Sequence, residues 1–129
     1  MPLSSALIAI TGVCGAGKST LAGALCARGY NARQVSQEHS GVPNLWRRLV
    51  HADLLIFLDA SLDTVRRRLA SPGWPAWLYE AQRGRVELAR QQCDIYIATD
   101  DLTAADVTEQ VVSWLERPES SGLSGPAGS

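Results

Sequence analysis

One segment of this sequence has the residue types and spacing needed to hold a phosphate group. Residues 12–19 read Gly-Val-Cys-Gly-Ala-Gly-Lys-Ser, which matches the pattern G-x-x-x-x-G-K-[ST] at every fixed position. In that pattern the glycines let backbone N–H groups close around the anion, the lysine reaches the β- and γ-phosphates, and the serine hydroxyl is offered to Mg²⁺. The residues that we predict to contact a nucleotide here are Gly12, Val13, Cys14, Gly15, Ala16, Gly17, Lys18, Ser19 and Thr20.

The lysine of this loop is the only lysine in the chain. The 12 lysine and arginine residues comprise Lys18 and eleven arginines, which indicates that this position needs a compact ammonium group. We expect the side chain to lie on a bound ligand and outside the core. The substitution Lys18→Ala is therefore expected to remove most of the triphosphate affinity and to leave the fold intact.

A second group of candidates could hold a metal or move a proton, because phosphoryl transfer needs a carboxylate for one of these tasks. Glu38 follows residues 31–37, a short polar stretch that we interpret as the strand beside the loop, and it is the first candidate. His39 could exchange a proton near neutral pH, and Asp59, at the end of an apolar run, is the rival carboxylate. Structural alternatives remain open, namely a solvated turn at Glu38, a surface histidine, and a helix start at Asp59. The metal contacts that we predict are Ser19, Glu38 and Asp59.

Arginines in the second half of the chain could neutralise the charge of a transferring phosphoryl group. Arg83, Arg85 and Arg90 follow an aromatic stretch at residues 74–79, and we predict that one of them contacts phosphate. Residues 66–68 are a run of arginines on a predicted helix, where neighbours diverge by about 100°, so only part of the run can face inward. We favour a solvated face for this run over a bidentate phosphate clamp.

The elements that must position these residues alternate between strands and helices. Apolar runs at residues 6–10, 53–59 and 95–98, with the polar stretch at 31–37, predict strands. Helical patterns follow the loop up to Gly29 and recur at 45–50, at 61–69, at 80–92 with a break or weakening at Gly84, and after Thr103. Since right-handed crossovers dominate such units, this order predicts a three-layer α/β fold, with about four mostly parallel strands and helices on both faces. The first strand is central, which puts the loop where the strand order reverses.

Length and composition are typical of one soluble domain. The 129 residues, 46% of them hydrophobic, are enough for one packed core. We predict a single domain over residues 1–116, a lid-like segment at about 72–92, and a flexible tail over 117–129, which is rich in Gly, Ser and Pro. A net charge of −1 gives no global field for nucleic acid or a membrane. Three cysteines and the lack of a membrane-length apolar run favour the cytoplasm over a disulfide-bonded secreted protein.

The order of phosphate-binding loop, arginine-bearing helix, lid-like segment and a last strand ending Thr99-Asp100 resembles the small-molecule kinases of the nucleoside monophosphate kinase superfamily. Shikimate, gluconate and adenylylsulfate kinases are similar. The resemblance extends over residues 6–116, and the loop is its specific part. It implies that Thr99 and Asp100 lie near the nucleotide base. The lid residues that it implies, which would close over the transferring phosphate, are Tyr79, Arg83, Arg85 and Arg90.

The sequence therefore predicts an ATP- or GTP-dependent kinase that uses Mg²⁺ and transfers a phosphoryl group to a small-molecule acceptor. ATP is favoured, because a guanine-reading Asn-Lys-x-Asp motif would need a second lysine. The kinases named above are longer between the loop helix and the pre-lid strand, where this chain has about two dozen residues. This short acceptor region leaves open a nucleotide-binding switch or pseudokinase that acts through a protein partner, and a homo-oligomer is compatible with either. Nucleic-acid binding through arginine clusters is disfavoured by the balanced charge.

Overall fold

The computed structural model describes residues 6–40, 44–48 and 51–117, which form an α/β fold with a four-stranded sheet. The elements in chain order are β1 (Leu7–Gly12), α1 (Lys18–Ala27), β2 (Asn31–Gln34), α2 (Leu45–Arg48), β3 (Leu54–Asp59), α3 (Leu62–Arg68), α4 (Ala76–Gln92), β4 (Ile95–Ala98) and α5 (Ala104–Leu115). A short 3₁₀ turn, Gln37–His39, follows β2.

The strands of the sheet are all parallel and lie in the order β2-β1-β3-β4. This confirms the predicted parallel sheet and the central position of its first strand. The strand order reverses at β1, because β2 lies on one side of it and β3 on the other. Ligands of open α/β sheets bind at the carboxyl edge beside such a reversal. The segment that follows Gly12 therefore leaves the sheet at a favoured position for a site.

The middle of the sheet forms the core. Leu55, Ile56, Phe57 and Leu58 of β3 are all buried, which is the pattern of a strand covered on both faces. Helix α1 contacts α5, while α4 contacts β1 and β3. The predicted strand between the two acidic residues Asp53 and Asp59 is confirmed apart from its first residue.

Close packing of β1 on β3 requires a glycine at the end of β1. Gly12 pairs with Leu58 across the sheet, and its φ of +146° lies in a region that L side chains rarely adopt. A Cβ at this position would lie 1.9 Å from the carbonyl oxygen of Leu58. The glycine thus lets the chain leave the sheet while the two strands stay paired.

Side-chain caps fix the starts of two helices. Thr103 begins α5 with a capping box, in which its hydroxyl accepts from the Asp106 N–H and the Asp106 carboxylate accepts from the Thr103 N–H, both at 3.0 Å. Ser61 begins α3 by accepting from the Thr64 N–H at 3.3 Å. The predicted helix after Thr103 is therefore confirmed.

The strand predicted at residues 31–37 is too long. Strand β2 ends at Gln34, although the Val35 N–H still donates to the carbonyl oxygen of Ile10 at 2.8 Å. The 3₁₀ turn then bends the chain, which a polar sequence on an edge strand permits because it has little apolar surface to bury in the sheet.

The prediction of a helix broken or weakened at Gly84 is wrong, since α4 is unbroken from Ala76 to Gln92. It contacts β1, β3 and the 3₁₀ turn, and the buried residues on its inner face are Tyr79, Gln82, Val86 and Ala89. Burial of this face outweighs the roughly 1 kcal/mol by which glycine disfavours a helix interior. A lid function for residues 72–92 stays a prediction.

Replacing Gly84 by alanine is expected to stabilise the protein. A Cβ at this position meets no atom within 4 Å, and alanine is the better helix former. We expect the free energy of unfolding of Gly84→Ala, measured by denaturant titration, to rise by about 0.5–1 kcal/mol. Gly12→Ala is the control and must destabilise, because of its clash with Leu58. A lower stability of Gly84→Ala would contradict a continuous α4.

Some predictions concern parts of the chain outside the described residues. These parts are the chain break at 41–43, the end of the predicted short helix at 49–50, residues 1–5, and the predicted tail beyond Arg117. Cys14, Cys26 and Cys93 are free thiols. Among the helices of the described segments, none is long and apolar enough to cross a bilayer.

Candidate functional site

The candidate site is built around the loop that joins β1 to α1. Gly15 and Gly17 have φ values of +77° and +99°, left-handed conformations that suit glycine. Gly17 occupies the N-cap position of α1, and no side chain caps this helix. The first N–H groups of a helix have no intrahelical partner. This end of α1 therefore presents backbone donors next to the exposed residues Ser19 and Thr20.

Lys18 is buried, with an exposure of only 5%. Its ammonium donates to the carbonyl oxygens of Val13 at 2.9 Å and Gly12 at 3.3 Å. It also forms an ion pair with Glu38, with 2.8 Å between Nζ and Oε2. The expectation that this side chain lies outside the core is therefore wrong. The carboxylate of Glu38, which we predicted to follow the strand beside the loop, compensates this charge in the interior.

Glu38 reaches the loop because the chain turns sharply after β2. The Val35 carbonyl oxygen accepts from the Thr11 hydroxyl of β1 at 2.8 Å, and the 3₁₀ turn then directs Glu38 toward Lys18. The Oε2 atom of Glu38 also lies 3.7 Å from Nε2 of the exposed His39. The buried Oε1 atom has no hydrogen-bond partner among the described residues. Buried polar atoms nearly always have a partner, so this oxygen is an exception among the described residues.

Asp59, the rival carboxylate, is engaged through both of its oxygens. Oδ1 accepts from the Ala60 N–H at 2.9 Å and from Arg83 at 2.8 Å, and Oδ2 accepts from the Tyr96 hydroxyl at 2.6 Å. Burial, together with the bond to Asp59, raises the pKa of Tyr96 to about 12, so this hydroxyl keeps its proton at neutral pH. These bonds tie the end of β3 to α4 and β4.

Two of the three predicted arginines lie at the carboxyl edge of the sheet. Arg83, besides binding Asp59, lies over the Tyr79 ring at 5.6 Å from its centroid. Arg85 donates to the carbonyl oxygen of Glu38 at 3.1 Å. Arg85 is therefore the predicted arginine that the fold brings next to the buried ion pair.

The third predicted arginine has a different environment. Arg90 pairs with Glu87 on the surface of α4 at 2.6 Å, and the two side chains are 42% and 44% exposed. The structure does not bring it to the loop. A residue on the same helix that the sequence did not single out, Gln82, does reach the loop and accepts from the Cys14 N–H at 3.3 Å.

A further arginine, from the run at 66–68 for which we favoured a solvated face, also contacts the loop. Arg68 donates from Nη1 to the carbonyl oxygen of Gly15 at 3.2 Å and to Thr99 Oγ1 at 2.8 Å. Its Nη2 donates to the Thr99 carbonyl oxygen. No local pattern separates Arg68 from its neighbours in the run, because its partners follow β1 and β4 and are distant in sequence.

An open cavity of about 210 Å³ adjoins the loop. Its wall combines the first turn of α1 with α3 and the segment that leads from β4 into α5. Residues of this wall include Leu21, Arg68, Thr99, Leu102, Thr103 and Val107. The wall is largely apolar, with a few hydroxyl groups and one guanidinium, a mixture that is usual in small-molecule sites. Thr99, which we predicted near a nucleotide base, is thus part of a cavity next to the loop.

Asp100, predicted to lie near a nucleotide base, binds the start of α3. Its Oδ1 accepts from the Thr64 hydroxyl at 2.5 Å and from the Ser61 N–H at 2.8 Å. These bonds, the one from Thr64 foremost, lower the pKa of Asp100 from 3.8 to about 2. The carboxylate therefore joins the segment after β4 to α3.

Asp100→Asn is expected to lower the free energy of unfolding at neutral pH by about 1 kcal/mol, because hydrogen bonds to a charged acceptor are the stronger ones. The folded-state pKa lies below the ordinary one, so this stabilisation is complete above pH 3.8 and is lost as the pH falls to about 2. Denaturant titrations across this range should show the two proteins converging in acid. Asp101→Asn, at the exposed neighbour, is the control. A difference between wild type and Asp100→Asn that does not change with pH would contradict this role.

Comparison with known proteins adds no assignment. The chain matches no protein-family model, and no curated protein matches it. The residues of the site are therefore the guide to function, since one fold hosts many activities.

Proposed function

We propose that this chain binds a Mg²⁺–nucleoside triphosphate at the loop of residues 12–19 and transfers the γ-phosphoryl group to a small-molecule acceptor. The observation that carries the proposal is the buried Lys18–Glu38 pair beside the glycine loop, with Oε1 of Glu38 unpartnered. A buried ion pair is a weak source of stability compared with apolar residues of similar volume. We therefore attribute the presence of this pair beside the glycine loop to a role in phosphate chemistry and not to a gain in stability.

The architecture supports a three-layer fold of the P-loop NTPase type. Parallel crossovers are right-handed, and the steps from β1 to β2 and from β3 to β4 run in opposite directions along the sheet. The crossover through α1 and the crossover through α3 and α4 therefore belong on opposite faces. In such a fold the loop lies at the N-terminus of α1, where backbone donors and the helix dipole both favour phosphate.

Binding of a triphosphate would exchange the partners of Lys18. The ammonium is held by two backbone carbonyl oxygens and by Glu38, and charged phosphate oxygens are stronger acceptors than carbonyls. If Lys18 turns to the phosphates, the buried Glu38 carboxylate loses its cation. A second cation is then needed beside Glu38, since a buried charge without a partner is strongly destabilising.

Mg²⁺ fits the residues at this position. It prefers oxygen ligands and is commonly held by one or two protein groups together with substrate phosphates. The unpartnered Oε1 of Glu38 and the hydroxyl of Ser19 at the exposed start of α1 are suitable groups, whereas both oxygens of Asp59 already accept from protein donors. When bound, Mg²⁺ would neutralise charge on the β- and γ-phosphates. Within the described segments no cluster of three or more acidic, histidine or cysteine side chains could hold a metal alone, so the phosphates would have to complete this site.

The remaining tasks belong to side chains at the carboxyl edge. In this proposal Glu38 takes the proton of an acceptor hydroxyl, and the exposed His39, 3.7 Å away, passes it to solvent. Arg85 holds the backbone of Glu38 in position. The cavity beside the loop would take the nucleoside, with Arg68 and Thr99 in its wall.

Calorimetric titration with a hydrolysis-resistant ATP analogue tests the proposal. We expect a one-to-one complex with the Mg²⁺–ATP analogue and binding of the GTP analogue that is weaker by about tenfold or more. Omitting Mg²⁺ should weaken binding strongly, because Glu38 would then retain Lys18. Absence of binding by both analogues in the presence of Mg²⁺ would contradict the proposal.

One observation favours a second candidate, a nucleotide-dependent switch that acts through a protein partner. Only residues 35–53 separate β2 from β3, which leaves little chain to build an acceptor pocket. Phosphate release at the same slow rate with and without a panel of small hydroxyl acceptors would favour the switch. Release or transfer that depends on one acceptor would favour the kinase.

A further inference from the structure

One face of α4 contacts two separate parts of the proposed site. Gln82 is only 1% exposed, and its Oε1 accepts from the Cys14 N–H in the loop after β1 at 3.3 Å. Arg85, further along the helix, donates to the carbonyl oxygen of Glu38 in the turn after β2 at 3.1 Å. Residues at this spacing share a helix face. A single rigid element therefore sets the positions of the loop and of the carboxylate.

The bond from Cys14 to Gln82 divides the donors of the loop into two sets. The Cys14 N–H is bound by α4, and the Ala16 N–H donates to the Val13 carbonyl oxygen at 3.3 Å. These two bonds fix the curvature of the first half of the loop. The donors at the start of α1, which have no intrahelical partner, stay available for an anion.

We infer that Gln82 is a positioning residue for the glycine loop, which it holds in its anion-binding conformation before a nucleotide arrives. Ordering a loop during binding costs affinity, and a loop that is ordered beforehand avoids this cost. In this role Gln82 acts on the loop through the Cys14 N–H. The inference rests on the proposed function and extends it to a residue outside the motif.

A set of variants on α4 separates this role from simple packing. Gln82→Met keeps the shape of the side chain and removes the strong acceptor, whereas Gln82→Glu keeps an acceptor for the Cys14 N–H. Gln92→Met places the same change at an exposed position at the end of α4 and is the matched control. Two quantities are measured for each variant, the amide hydrogen exchange of residues 12–20 without ligand and the affinity for the Mg²⁺–ATP analogue.

In Gln82→Met we expect the hydrogen of the Cys14 amide to exchange at least about tenfold faster than in wild type. We also expect this variant to bind the Mg²⁺–ATP analogue about tenfold more weakly. Gln82→Glu should restore slow exchange of the Cys14 amide, because it keeps the acceptor, and a purely packing role would not give this rescue. Its affinity for the analogue should stay below that of wild type, because a carboxylate beside the loop repels phosphate. Gln92→Met should match wild type in both. The loss of protection from hydrogen exchange should be confined to the loop, and the exchange rates in β1 and β3 should be unchanged.

Three results would overturn the inference. Unchanged affinity and exchange in Gln82→Met would show that the contact does not order the loop. Tighter binding would show that Gln82 competes with phosphate for the Cys14 N–H. A wild-type chain that binds no triphosphate analogue would defeat the proposed function and this inference together, whereas the first two results leave the proposed function intact.

Discussion

Lys18→Ala is expected to lose both ligand binding and fold stability. The variant lacks the ammonium that would bind the β- and γ-phosphates, and we expect the affinity for the Mg²⁺–ATP analogue to fall by about a hundredfold or more. It also leaves Glu38 as a buried carboxylate without its cation, with 2.8 Å between the charged atoms in wild type. Breaking a buried pair in this way typically costs about 3–5 kcal/mol of unfolding free energy. Calorimetry and denaturant titration measure the two effects separately.

A double variant distinguishes the two consequences of losing Lys18. Lys18→Met combined with Glu38→Gln removes both buried charges, and such replacements are often neutral or stabilising. We therefore expect it to recover most of the stability lost in Lys18→Ala while it still fails to bind the analogue. A Lys18→Ala protein with wild-type affinity would contradict the proposed site. A double variant that binds normally would do the same.

Glu38→Gln is expected to abolish turnover and to keep binding. The amide cannot take a proton from the acceptor, and loss of a general base typically reduces rate by about 10²–10⁴-fold. Its oxygen can still accept from Lys18 and can still face Mg²⁺, but without the charge of the carboxylate. We therefore expect the affinity for the analogue to fall by less than in Lys18→Ala, and the stability to fall because Lys18 loses its buried counter-charge. Single-turnover transfer or hydrolysis of the γ-phosphoryl group measures the rate, and calorimetry measures the affinity.

The control for this prediction is a glutamate of the same domain outside the site. Glu80 lies exposed on α4, and Glu80→Gln should retain wild-type turnover and binding. Equal turnover in Glu38→Gln and wild type would return Glu38 to a structural role as the partner of Lys18. The proposed binding site would survive that result, but the proposed chemistry of Glu38 would not.

The buried strands of this fold are predictable because each appears in the sequence as a short local run of apolar residues. The run that became β3 is short and is apolar at every position between two acidic residues, which is typical of a strand covered on both faces. The end of β2 and the continuity of α4 at Gly84 are different. Both depend on contacts with elements far along the chain, which outweigh local preference.

The candidate site likewise has parts that the sequence predicts and parts that it does not. The motif identifies the loop from local spacing, but the sequence contains no sign that Lys18 and Glu38 pair in the interior, since the sharp turn after β2 creates that contact. Asp59 could be recognised as a strand-end carboxylate, yet its partners Arg83 and Tyr96 come from α4 and β4. Only the folded chain reveals that these bonds occupy it.

A two-dimensional NMR titration of the ¹⁵N-labelled chain with the Mg²⁺–ATP analogue tests nucleotide binding at the loop most directly. We expect saturable shifts of the backbone amides of residues 15–20 and of Glu38, because Lys18 leaves that carboxylate for the phosphates. Residues of the β1 and β3 core far from the carboxyl edge should not move. Binding that leaves the amides of residues 15–20 unchanged, or no binding at all, would contradict the proposed site.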